Sequence, residues 1–184
     1  MEKHRVSESM AKAFGFFLVF AVFAVSLRLF PHTPNYAAIG ALAIFSGSAF
    51  RKSWLALLPL TTVFISDLLI GFYEPWLMAT VYVSYAAMFL LGSKMNRKSI
   101  KSLVIRSSLG SILFFITTNF AVWAFASWYP HTPAGLLDSY LMGLPFYRNT
   151  FVSDLVFTAT FVVLYEYAPA MFSAFSKKKA IHTV

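Results

Sequence analysis

The chain has 184 residues, of which 59% are hydrophobic and only 12% charged, with a net charge of +8 and no cysteine. A soluble domain carries roughly twice that share of charge, and without cysteine there are no disulfides, thiolate catalysis or Cys-ligated zinc. The mean hydropathy of +0.69 comes in long apolar runs rather than in alternation, which predicts one integral membrane domain over residues 1–184 and an all-α membrane protein.

Six apolar segments follow in chain order. The first, residues 11–29, comes after a basic start at Lys3, Arg5 and Lys12. Its Ala24-Val25-Ser26 has the small-x-small form of a signal-peptide cleavage site, yet the apolar stretch before it is long, so a retained helix is expected. The second segment, 36–50, is short and rich in Ala and Gly. The third, 54–72, and fourth, 76–91, are separated by Tyr73-Glu74-Pro75. The fifth covers 103–128 and the sixth 150–172. A spanning helix needs ~20 residues, so the second and fourth must be short, tilted or shielded by neighbours. Residues 129–149 are polar and broken by proline. They are expected to form an outer loop with a short interfacial helix over 136–144.

Charge placement orients this six-helix bundle. With both termini cytoplasmic, 13 of the 15 basic residues fall inside, and only Arg28 and Arg148 fall outside. That is the positive-inside distribution, so the net charge reflects topology in a multi-pass bacterial inner-membrane protein and not nucleic-acid binding. Trp54, Trp76, Trp128, Tyr73, Tyr129 and Tyr147 lie at segment ends, where an aromatic belt belongs.

Ionisable groups at membrane depth are costly and face a cavity or a partner. Asp67 and Asp154 share a Ser-Asp-Leu frame, and each is expected roughly 6–8 Å below the outer surface. Asn119, flanked by Thr117 and Thr118, lies somewhat deeper. Polar groups in the outer half above an apolar inner half describe a capture site rather than a pore, which needs polar lining at every depth. Two simpler readings stand beside that one: Asp67 and Asp154 pairing with Arg28 and Arg148 to fix packing, and Asn119 acting as an interhelical strut. Glu166 is expected at the inner interface or against Arg106. The Phe-rich faces read as core and lipid contact.

Two histidines share a Pro-His-Thr-Pro frame, His32 in FPHTPNY and His131 in YPHTPAG. Proline ends helices and presets turns, so both stretches read first as helix exits. The frames are 99 residues apart and the Ser-Asp-Leu motifs 87, which does not fit a simple internal repeat. No His or carboxylate spacing marks a zinc site. No metal or cofactor is expected.

The run His32-Thr33-Pro34-Asn35-Tyr36-Ala37-Ala38-Ile39-Gly40-Ala41, with Ser66-Asp67-Leu68 and Thr118-Asn119-Phe120, resembles a family of small bacterial membrane proteins. That family is in turn similar to the substrate-binding S components of energy-coupling-factor (ECF) vitamin transporters. The resemblance covers about residues 11–172. It implies six helices, both termini cytoplasmic, an outward-facing pocket for a vitamin or related micronutrient, and a binding subunit rather than an enzyme. As partners it implies membrane lipids, an ECF coupling transmembrane subunit and a pair of ATPases, the latter in keeping with the absence of a Walker A glycine loop here. The family's Ala-x-x-x-Ala coupling face is approximated by Ala11 and Gly15, small enough for close helix approach.

The expected site therefore comprises His32, Asn35, Asp67, Asn119, His131 and Asp154. Tyr82, Trp123 and Tyr147 are candidate stacking faces, and Arg28 and Arg148 either neutralise the aspartates or meet an anionic substrate. Two other classes remain open: a scaffold of envelope assembly, and an intramembrane enzyme using the two aspartates as an acid–base dyad.

Overall fold

The computed structural model describes residues 2–30 and 33–181, with side chains described at residue 8, over 10–30 and over 33–168. His32 lies outside the described residues. Six α-helices and one 3-10 turn make up the fold, and no strand occurs among the described residues: α1 (Glu2–Leu29), α2 (Ile39–Phe50), the 3-10 turn (Ser53–Ala56), α3 (Leu57–Ile70), α4 (Pro75–Ser93), α5 (Ile100–Phe125) and α6 (Pro133–Ile181). Five helical stretches are long and apolar enough to cross a membrane, and α2 is a shorter apolar helix.

Local sequence explains the boundaries. Arg51 ends α2 in the left-handed conformation, its N–H donating to the Gly47 carbonyl, a recurrent helix stop. Glu74 caps α4 by accepting the Leu77 N–H at 2.6 Å, with Pro75 in the first turn, where its missing N–H costs nothing. Ser99 caps α5 through the Ser102 N–H at 3.2 Å.

The shielded segment is α2. Eleven of its twelve residues are buried, and α1, α3, α4, α5 and α6 all pack against it. Close approach to α4 rests on two glycines: a Cβ on Gly47 would collide with the Phe89 carbonyl, and one on Gly92 with the Ile44 carbonyl. Below α2's first turn the core is aromatic. Phe20 stacks on Phe161 with centroids 4.2 Å apart, and Phe45 meets Phe20 at 5.1 Å and Tyr165 at 5.5 Å.

Over 129–149 the expected short helix at 136–144 is longer than expected, and the loop around it correspondingly shorter. Residues 133–149 are the opening turns of α6, which runs unbroken for 49 residues. Thr132 Oγ1 accepts the Gly135 N–H at 3.1 Å, so a hydroxyl cap followed by proline starts the helix. Pro145 removes only one backbone hydrogen bond. Gly135, Ser139 and Gly143 recur every four residues on one face. The last two of these seat α6 on α5: Ser139 Oγ donates to the Asn119 carbonyl at 3.3 Å, and a Cβ on Gly143 would collide with the Asn119 amide. Tyr140 adds a hydrogen bond from its hydroxyl to the Ile116 carbonyl at 3.0 Å.

The bundle thus has two distinct ends. One carries Arg28, residues 33–38 and the connections 71–74 and 126–132. The other carries Arg51, Lys52, Lys94, Arg97, Lys98 and Lys101. Of the two places expected for Glu166, it takes the basic end and not Arg106, accepting from Arg97 Nε at 2.8 Å. Arg97 lies in the turn that faces Glu166, while its guanidinium also reaches the Ser48 carbonyl and the Tyr165 ring.

Candidate functional site

At the Arg28 end the helices splay around a cleft made of two adjoining cavities, about 310 Å³ and 350 Å³. Asn35, Tyr73, Val81, Phe114 and Thr150 line both, which joins them into one space. The first cavity continues down to Gly40, Tyr85, Met88 and Asp154; the second widens under Asn119, Trp128, Phe146 and Tyr147. Tyr85 and Phe114 stack at 5.2 Å in the first wall, and Phe115 lies 4.8 Å from Tyr147 in the second.

Asp67 is 1% exposed. Its Oδ1 is 2.9 Å from Arg28 Nη2, and its Oδ2 accepts the Tyr82 hydroxyl at 2.9 Å. The other Arg28 amino group reaches Ser66 Oγ. Of the two readings for this carboxylate, the structure shows the ion pair. Tyr82 is corrected from a stacking face to a hydrogen-bond donor that helps hold Asp67, and neither residue lines the cleft. Arg28 does line it, with its charge met from the side by Asp67. Tyr73, in the connection between α3 and α4, has its phenol pushed up to about 12 by burial first and then by the Asp67 carboxylate, with Arg28 opposing. It is therefore a protonated donor at neutral pH.

Asp154 behaves differently, and its expected pairing with Arg148 is not formed. Arg148 is exposed and lines neither cavity. Asp154 Oδ2 accepts the Ser111 hydroxyl at 2.8 Å, and the carboxylate also accepts the Ala41 backbone N–H. Ala41 is the third residue of α2, whose N-cap Ala38 supplies no side-chain hydrogen bond. A carboxylate from α6 therefore caps α2, satisfying an N–H that the helix start leaves orphaned and meeting the positive end of its dipole. Gly40 makes this possible, because a Cβ there would overlap the Asp154 carboxylate. The two aspartates thus have separate partners, Arg28 and Tyr82 for Asp67 and Ser111 for Asp154.

The remaining expected residues divide. Asn35 lines both cavities at a positive φ of 60°. Its segment is latched to α6: Asn149 Nδ2 donates to the Pro34 carbonyl at 2.9 Å and Thr150 Oγ1 to the Asn35 carbonyl at 3.4 Å. Asn119 lines the second cavity while its Nδ2 donates to the Phe115 carbonyl at 2.8 Å. Tyr147 lines it too. His131 and Trp123 line neither cavity. Trp123 Nε1 donates to the Pro130 carbonyl at 3.1 Å, and exposed His131 packs edge-on to its ring at 5.7 Å. Ala11 and Gly15 are exposed on α1. Among the described residues no cluster of three His or carboxylate side chains is present.

Sequence reasoning missed Tyr73, Tyr85, Phe114 and Thr150 as lining residues, and Ser111 as the partner of Asp154. Tyr85 and Phe114 lie within apolar runs that carry no local mark, and Tyr73 read only as an aromatic-belt residue at a segment end. Asn149-Thr150 is a polar pair two turns or less before Asp154, a signal that was available. No curated protein and no solved structure matches the chain. A family model described as a family of unknown function (DUF6580) matches residues 8–177, and the chain belongs to that family.

Proposed function

We propose that this protein is the substrate-binding membrane subunit for uptake of a small amphipathic micronutrient, similar to an ECF S component. The observation that carries this reading is the cleft at the Arg28 end, walled by aromatic rings and sealed beneath by the fully buried α2. Binding sites are concave, largely apolar, and furnished with a few fixed polar groups, and this cleft has that makeup. Asp67 meets the Arg28 charge and Asp154 at the floor is turned to Ser111, so the groups offered to a ligand by the upper walls are neutral: the Tyr73 hydroxyl, Asn35, Asn119 and Thr150. A planar, uncharged heterocycle suits them better than a strongly anionic substrate does. The basic residues gather at the opposite end, so the positive-inside rule turns the cleft outward and both termini inward. Energy would come from partner subunits, with the small residues Ala11 and Gly15 on the exposed face of α1 as a contact point.

Native mass spectrometry of the protein purified in lipid nanodiscs tests this. The expected result is a co-purifying small molecule that quenches Trp128 fluorescence when added back. Asn119→Ala and Tyr147→Ala should each weaken its binding about tenfold. Recovery of cell-wall enzymes with an empty cleft would instead favour the scaffold reading.

A further inference from the structure

Among the described residues, ten buried serine and threonine side chains lie in the bundle. Eight of them (Ser46, Ser48, Thr62, Ser66, Ser84, Ser111, Ser139 and Ser153) lie within hydrogen-bond distance of a carbonyl of their own helix three or four residues back, Ser111 and Ser139 sharing their proton with Asp154 and the Asn119 carbonyl. Ser107 and Thr158, both 0% exposed, have no hydrogen-bond partner. An orphaned buried hydroxyl costs about 1–3 kcal/mol, and these two are not scattered. Ser107 lies one turn from Ser111 on α5, and Thr158 one turn from Asp154 on α6. The helices are antiparallel and the Ser111 to Asp154 hydrogen bond sets their register. The orphaned pair therefore falls at one level, immediately below the Asp154 carboxylate.

Charge is also unbalanced at this spot. Asp154 is 1% exposed, and the two ion pairs among the described residues are Arg28 with Asp67 and Arg97 with Glu166. The start of α2 supplies about half a positive charge, and the Ser111 hydroxyl supplies none. A water molecule would satisfy the hydroxyls and leave the charge. A proton would remove the charge and leave the hydroxyls. A divalent ion would leave an excess of about one and a half positive charges, a monovalent ion only about half of one.

We propose that Asp154, Ser107 and Thr158 form a binding site for one dehydrated monovalent cation, sodium by its preference for hard oxygen ligands at close range, beneath the floor of the cleft. The inference rests on α5 and α6 and holds whether or not the cleft binds a micronutrient.

The test is thermal unfolding of the full-length protein in nanodiscs, titrated with NaCl, KCl or choline chloride at constant ionic strength. Sodium should raise Tm saturably by roughly 5–10 °C at a hundredfold excess over Kd, potassium less, and choline not at all. Thr158→Val and Asp154→Asn should abolish the sodium response. In choline, Thr158→Val should melt at or above the wild-type temperature, because it removes an orphaned hydroxyl. That variant keeps the test decisive if Asp154→Asn does not fold. Equal Tm in sodium and choline, as trapped water would give, overturns the proposal. So does a sodium response that survives Thr158→Val.

Discussion

Arg28 and Asp67 form an unequal pair, and the inequality predicts which substitution is worse. The Asp67 side chain is 1% exposed and that of Arg28 21%. Replacing Arg28 with Met leaves a buried carboxylate with only the Tyr82 hydroxyl to hold it. Breaking a buried pair in this way costs about 3–5 kcal/mol, most of it the unpaired charge. Replacing Asp67 with Asn removes the negative charge but leaves an oxygen for the guanidinium. Arg28 also keeps Ser66 and has a long stem with which to reach solvent, so about 1–2 kcal/mol is expected. For a chain of this size each kcal/mol moves Tm by about 2–4 °C. Arg28→Met should therefore lower Tm by about 6–20 °C, and Asp67→Asn by about 2–8 °C. Adding Asp67→Leu to Arg28→Met should restore much of the loss, since removing both partners leaves no orphan. Circular dichroism melts of the three variants and the wild type in one detergent decide it. If Asp67→Asn costs as much as Arg28→Met, or the double variant melts no higher than Arg28→Met alone, the carboxylate is not held as a buried charge.

Two further perturbations probe the rest of the scaffold. Gly92→Val puts side-chain atoms where α4 meets the Ile44 carbonyl, so it should unfold or strongly destabilise the bundle; a Tm within 3 °C of wild type, or about one kcal/mol, would contradict the backbone contact. Asn149→Ala removes the hydrogen bond that ties the Pro34 carbonyl to α6, and an exposed bond of this kind is worth about 0.5–1.5 kcal/mol. Amide exchange over 33–38 should accelerate up to about tenfold while the α2 core keeps its protection.

Much of the architecture was legible because hydropathy and proline mark membrane helices directly. The expected segments 76–91 and 103–128 correspond to α4 and α5 within three residues at each end. The short apolar segment near Gly40 was rightly expected to be short or shielded. What failed was 133–149, judged by its polar residues and prolines. Its spacing of Gly135, Ser139 and Gly143 was the better guide, because it is helix contact and not hydropathy that holds this stretch against α5. In the site, Arg28 and Asp67 were legible because an intramembrane charge demands a partner and few were available. Asp154 was recognisable as important, but its partner is a backbone N–H, and a backbone group has no letter in the sequence. His131 read as a wall residue from its loop position and Trp123 as a stacking face in the fifth segment, and the indole bond to the Pro130 carbonyl directs them elsewhere.

One property of the chain accounts for both the cleft and its buried acid. Helix α2 has 12 residues, about 18 Å of rise against a hydrocarbon layer of about 30 Å. A helix that short, wrapped on every side by longer ones, must end inside the bundle, and the space its missing turns would fill is left open between α4, α5 and α6. The same truncation exposes the first N–H groups of α2 at a depth where water is scarce, and each unsatisfied group there costs several kcal/mol. An acceptor must therefore come from a neighbour, and a carboxylate, able to take hydrogen bonds from Ala41 and Ser111 together, answers the dipole as well. Gly40 follows in turn, as the residue that lets the carboxylate approach. Lengthening α2 would close the cavity and remove the need for Asp154 in one step. The cavity and the acid at its floor are thus one structural device.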